Sequence, residues 1–196
     1  MPSSNWRTLG TANILGFLCT DLKGALSRVW VIGPWIDGFF AQRVVDLLPA
    51  NTELRVVMRP PNGADTGFRE HAIAARACFE DRTNTIVKFL ANLHAKLVII
   101  DEHIVYCGSA NWYHYSLQES REIVLRGPVE NISALLDEVQ AIWDEAKSEP
   151  MMARRKRAEV TAHGYMEEVV DPIAEAKLRE VPGSFILRRP KTKRLS

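Results

Sequence analysis

Apolar positions along the first 150 residues change their period several times, and each change marks an element. From residue 8 to 26 the apolar residues Leu9, Ala12, Ile14, Leu15, Leu18, Leu22 and Leu26 recur at helical spacing, which predicts an amphipathic helix. Arg28–Gly33 is a continuous β-branched and aromatic run closed by Gly33-Pro34, the pattern of a buried strand. Asp37 is placed to cap a helix reaching Leu48, and Pro49-Ala50-Asn51 forms a turn before a second strand over Glu53–Met58. Pro60-Pro61 stops that strand, a loop fills 61–66, and Asp65 or Thr66 can cap a helix to about Glu80. Further strands are expected over Thr85–Leu90, His94–Ile100, Ile104–Cys107 and Arg121–Leu125, with Asp101-Glu102-His103 as the turn that makes a hairpin of 94–100 and 104–107. Pro128 opens a last helix, in which Ile132, Leu135, Leu136, Val139, Ile142 and Trp143 keep helical spacing to about Lys147. Helices alternating with strands, followed by a strand-rich stretch, predict an α/β fold: a mixed β-sheet flanked by helices on both faces.

Charge divides the chain where the pattern ends. Residues 1–150 hold 14 Lys and Arg against 18 Asp and Glu, whereas residues 151–196 hold 11 against 6, so a net charge of +1 conceals a basic tail. The expected organisation is a domain over 1–149 and a basic C-terminal extension over 150–196, with clusters at Arg154–Arg157 and Arg188–Arg194. Those clusters suit phosphate backbones, a partner protein, or simply solvent. Cys19, Cys78 and Cys107 are odd in number and far apart, which predicts reduced thiols rather than a disulfide framework or a metal knuckle. The polar N-terminus has no secretory h-region and no apolar run approaches a membrane span, so the expected location is cytoplasmic.

The chemistry concentrates in residues 94–122. His94 and Lys96, two apart on a predicted strand, share a face with Val98 and Ile100, and burying both without partners would be costly. The next strand runs into Gly108-Ser109-Ala110-Asn111, where glycine permits close backbone approach and the hydroxyl and amide supply neutral donors. An imidazole, an ammonium, a hydroxyl and an amide around one point suit a tetrahedral phosphate, with Lys96 as the point charge. No metal and no other cofactor is required, because the positive groups come from protein.

His94-x-Lys96-x4-Asp101-x6-Gly108-Ser109-x-Asn111 resembles the H-x-K-x4-D-x6-G-S-x-N signature of the phospholipase D superfamily, and Glu122, eleven residues after Asn111, resembles the downstream acid of its small bacterial nucleases. The order of elements from about residue 8 to 147 is similar to one half of that family's fold. Tyr113 and Ser120 depart from the family's frequent small hydroxyl residue and Asn. The resemblance implies catalytic roles for His94, Lys96, Asn111 and Glu122, phosphate binding by Lys96, Ser109 and Asn111, and support from Asp101 and Gly108. The family's site uses two such motifs and this chain has one, because no second His-x-Lys occurs. A homodimer that pairs two copies would complete the site. His94 of one subunit would then be the nucleophile that forms a phosphohistidine, and its partner the general acid and base.

His114 and Trp112 are candidate substrate contacts, with Tyr113 and Tyr115 as further rings that could stack on bases or pack at an interface. Trp30, Trp35 and Trp143 read as core or interface. The expected activity is a metal-independent nuclease, an endonuclease acting on nucleic acid with DNA ahead of RNA, within a restriction, defence or other regulatory assembly. A phospholipase or phosphatidyl-transfer enzyme and an inactive dimeric nucleic-acid-binding module are the alternatives.

Overall fold

Strand β2 (Arg28–Gly33) shows why this sequence makes a two-sided sheet: Val29 and Val31 enter one apolar cluster, while Trp30 and Ile32 enter another on the opposite face. A computed structural model describes residues 6–61 and 67–148. The extension 150–196 and the expected caps Asp65 and Thr66 lie outside the described residues.

Seven strands form one mixed sheet: β1 (Arg7–Gly10), β2, β3 (Glu53–Met58), β4 (Thr85–Phe89), β5 (Leu97–Ile100), β6 (Ile104–Gly108) and β7 (Ile123–Pro128). Their spatial order is β1-β7-β6-β5-β2-β3-β4. β2, β3 and β4 run parallel, and β5, β6, β7 and β1 are joined antiparallel. Helices α1 (Thr11–Lys23), α2 (Gly38–Leu47) and α3 (Arg69–Asp81) bury Ile14, Leu18, Phe40, Val44 and Phe79 against one face. Helix α5 (Leu135–Glu145) buries Val139 and Trp143 against the other. The α/β architecture with helices on both faces is therefore as the periodicity predicts. No helix among the described residues is long and apolar enough to cross a membrane.

The differences are local and have physical reasons. The strand expected from His94 begins only at Leu97, because its neighbour β2 ends at Gly33-Pro34 and offers no further ladder partner. His94 and Lys96 instead lie in the lead-in to β5. The last strand starts at Ile123 rather than Arg121, and it continues to Pro128, which closes a strand instead of opening a helix. A 3-10 turn over Val129–Asn131 follows, and α5 starts at Leu135. β1 and the five-residue α4 (His114–Gln118) were not evident from periodicity. The three cysteines are free and partly exposed.

The β5–β6 hairpin turns through Asp101 and Glu102, both at positive φ (53° and 59°). Most side chains resist that region, and Asp tolerates it better than most. Here the Asp101 carboxylate accepts the backbone N–H groups of Leu26 (2.8 Å), Ser27 (2.8 Å) and Arg28 (3.0 Å), and the Ser27 hydroxyl (2.9 Å). Glu102 pairs with Arg28 at 3.1 Å. The turn is thus tied to the start of β2.

Candidate active site

At the opposite end of β5 the chain opens toward solvent. His94 is exposed, and its imidazole has no hydrogen-bond partner among the described residues. The arm carrying it is held by its carbonyls: the Lys96 Nζ donates to the His94 carbonyl at 3.1 Å, and the Arg59 Nε donates to the Leu93 carbonyl at 2.8 Å. Arg59 follows β3 directly, so it stands at the same sheet end as Gly33 at the close of β2. Carboxyl ends of parallel strands are where open α/β sheets place ligands. Burial lowers the Lys96 pKa, the Arg59 charge lowers it further, and the Glu122 carboxylate opposes both.

Glu122 anchors the other wall. Its carboxylate accepts the Ser109 hydroxyl through Oε2 and the Ser116 hydroxyl through Oε1, the latter at 2.7 Å. Burial works to raise its pKa, but hydroxyls of Ser109, Ser116 and Ser120 and the charge of Lys96 outweigh this and hold it below the usual carboxylate range. The Ser109 Oγ also accepts the Ile123 N–H at 3.1 Å, and the Ser116 Oγ accepts the Asn111 N–H at 2.9 Å. Glu122's own N–H donates to the Thr11 hydroxyl (2.9 Å), which donates to the Ser120 carbonyl (2.7 Å). Ser109, Asn111 and Glu122 are therefore gathered by one hydrogen-bond network, Lys96 acts on Glu122 through its charge alone, and no direct bond joins Glu122 to the His94 ring.

Gly108 is a steric necessity. A Cβ there would lie 2.2 Å from the Ile123 carbonyl oxygen, so only glycine lets β6 approach β7 closely enough to set Ser109 beside Glu122. Asp101, as described, is spent on the far turn. The Asn111 side chain keeps one oxygen, Oδ1, buried without a partner.

Trp112 is a correction. It is fully buried, stacked on Phe40 (5.3 Å between centroids), with its indole N–H on the Ile32 carbonyl at 2.9 Å, so it cannot touch substrate. Its slot exists because position 33 is glycine: a Cβ there would stand 2.5 Å from the Trp112 ring. His114 is exposed, with its ring 3.4 Å from Glu119 and edge-on to Phe39, while its backbone N–H donates to Asp37. Trp30 and Trp143 meet edge to face in the core, and Trp35 is half-buried.

Thr11, Arg59 and Ser116 were not singled out by sequence. Thr11 acts across more than a hundred residues. Arg59 had one signal: a basic residue just after β3, at the sheet end where Gly33-Pro34 closes β2. Among the described residues no group of three or more His, Cys, Asp or Glu side chains is arranged to hold a metal ion. Lys96 and Arg59 each hold a carbonyl of the arm that carries the exposed His94 ring, and two cations with an imidazole can bind an oxyanion and present a nitrogen to it.

Comparison with known proteins bears on the family and the fold. Residues 18–143 match the family described as "Cardiolipin synthase, PLD-like domain". No curated protein sequence matches significantly. Among solved structures, NucT from Helicobacter pylori is similar with a TM-score of 0.60 at 18% identity, over 74% of this chain and 100% of that one. Nuc from Salmonella typhimurium, a phospholipase D family member, is similar with a TM-score of 0.61 at 12% identity, over 73% and 96%. Phosphatidylserine synthase from Haemophilus influenzae Rd KW20 is similar with a TM-score of 0.52 at 14% identity, over 71% and 38%. At these identities the likeness concerns the fold.

Proposed function

The chain belongs to the phospholipase D-like family of phosphodiesterases, and from that membership we propose that it is a nuclease, hydrolysing nucleic-acid phosphodiester bonds as a homodimer through a phosphohistidine on His94. The observation that carries the reading is the half-complete site: Lys96, Ser109, Asn111 and Glu122 are organised within one chain, while the His94 ring is left exposed and unpartnered. The reading takes the second imidazole from a partner copy, since these 196 residues hold no second His-x-Lys.

An apolar row that is partly buried at Leu97 and Cys107 and exposed at its β7 end supports a second copy as its source. Leu97, Cys107 and Leu125 are directly cross-strand neighbours in β5, β6 and β7. Leu125 is 41% exposed, and Ile123, two residues nearer the site on the same sheet face, is 61% exposed. Self-association through this row would bring two His94 arms together.

In the proposed reaction the Nε2 of one His94 attacks phosphorus as the bond to the leaving oxygen breaks. The partner's His94 gives that oxygen its proton, then takes one from water, whose oxygen displaces the first histidine. Lys96, Ser109 and Asn111 hold the phosphoryl oxygens, and Arg59 adds a second cation. Glu122, ionised well below neutral pH, is poised to accept an Nδ1–H and fix a tautomer. The extension 150–196 supplies sequence-independent contact with phosphates.

A lipid substrate is the second reading, favoured by the description of the matched family and by the phosphatidylserine synthase neighbour. One panel separates the two. The protein and its His94→Ala variant are incubated in EDTA with labelled single-stranded DNA, duplex DNA, RNA and phosphatidylglycerol vesicles. Cleavage of nucleic acid by the wild type alone is the expected result. Turnover of lipid without nucleic-acid cleavage would overturn the nuclease reading, and binding without turnover would leave only a recognition module.

A further inference from the structure

Beside the phosphate-binding groups lies a cavity of about 290 Å³ lined by Trp35, Gly67, Phe68, Asn111 and Tyr113. We propose that it is a nucleobase subsite, seating the base next to the scissile phosphate. The proposal rests on the nucleic-acid reading above and names which part of the polymer, besides its phosphate, the site grips.

Three observations select this occupant. The walls are aromatic and mutually braced: Phe68 stands edge-on to Trp35 (4.9 Å, 76°) and to Tyr113 (5.5 Å, 76°). Aromatic faces accept any base, because every base has a π-face. The volume is at the small end for ligand pockets, which suits one planar ring system rather than acyl chains. The polar member is Asn111, whose Oδ1 is buried without a partner. A side-chain amide in the lining offers hydrogen bonding that the edge of a base can use and a hydrocarbon chain cannot.

The cavity is also coupled to the phosphate end. The Arg59 guanidinium sits 5.3 Å from the centre of the Trp35 ring while its Nε holds the Leu93 carbonyl, next to His94. Its charge reaches Lys96. Asn111 lines the cavity and, through its backbone, joins the Ser116–Glu122 network. A nucleotide whose phosphate meets Lys96 could therefore place its base against Trp35, with Arg59 bridging the two groups.

The test requires no turnover. The full chain is titrated with dAMP, dCMP, base-free 2-deoxyribose 5-phosphate and monomeric dihexanoyl phosphatidylglycerol, following backbone amide shifts by NMR. The nucleotides are expected to bind about 5- to 150-fold more tightly than the sugar phosphate, the range set by stacking one base. They should move the amides of Gly67, Phe68 and Tyr113, while sugar phosphate moves only those around Lys96 and Ser109. Trp35→Leu, and the milder Trp35→Phe with a smaller effect, should reduce the base-dependent gain, read in each variant as the ratio of nucleotide to sugar phosphate affinity. Equal affinity for nucleotide and sugar phosphate would overturn the subsite, as would shifts that miss the cavity or selective filling by the lipid. A chain that seats dAMP there yet cleaves no strand would refute the nuclease reading alone. A chain that cleaves DNA but gains nothing from the base would refute the subsite alone.

Discussion

The two ends of β5 make opposite use of residues from one motif. At one end the Asp101 carboxylate is saturated by four hydrogen bonds that pin the hairpin to β2. At the other, His94 is held only through its backbone and its ring faces solvent. Three buried residues of β5, Val98, Ile99 and Ile100, lie between the pinned turn and the exposed imidazole. The difference teaches that fixed spacing within a motif need not mean shared chemistry. One end ties the hairpin down, and the other leaves a side chain unsatisfied, which the proposed reaction would use for a substrate and a second subunit.

Substitution at the two ends should separate rate from stability. His94→Ala is expected to lower cleavage by about 10⁴-fold or more, while equilibrium unfolding changes by no more than about 0.5 kcal/mol. A destabilisation equal to that of Asp101→Ala would break the comparison. Next in size, Ile123→Asp on the exposed row should weaken dimerisation by about 10²-fold or more, because it buries an unpaired charge. Activity would then recover as protein concentration rises, as sedimentation and rate measured in parallel would reveal. A concentration-independent loss would place Ile123 outside any interface.

Asp101→Ala should cost about 2–3 kcal/mol of unfolding free energy, since it leaves several N–H groups without their charged acceptor. Its rate at saturating substrate should fall far less than that of His94→Ala. The smallest effect concerns acid. Burial tends to raise the Asp101 pKa, but hydrogen bonds from the N–H groups of Leu26, Ser27 and Arg28 and from the Ser27 hydroxyl outweigh it and leave the pKa lowered. A depressed carboxylate contributes stability above its unfolded pKa of about 3.9 and loses it as pH falls through the folded value. Asp101→Asn should therefore differ from wild type by a constant amount above about pH 5 and converge on it at lower pH. Parallel acid-unfolding curves down to pH 2 would refute that sign.

Much of this was legible in the chain because the signals are local. β2 and β3 announce themselves as buried apolar runs, and Asp37 does cap α2, accepting the Phe40 N–H at 2.9 Å. The spacing from His94 to Glu122 marks the candidate site without coordinates. What stayed hidden depends on distant partners or on brevity. β1 buries only Leu9 of four residues, and α4 spans five, too few for a period to show. Trp112 read as a candidate substrate contact because it stands beside Asn111 in the sequence. Its burial depends on Gly33, far away in the chain. Ser116 and Thr11 matter only through hydrogen bonds that no linear pattern encodes.

The covalent step is the most direct test of the account. Wild-type protein in EDTA is mixed with an end-labelled oligonucleotide and quenched on the millisecond scale, and the labelled chain is digested to locate the adduct. The account predicts a phosphoryl adduct on His94 that is labile in acid and stable in base, absent from His94→Asn. Cleavage proceeding at full rate with no such adduct, or at the wild-type rate in His94→Asn, would contradict it.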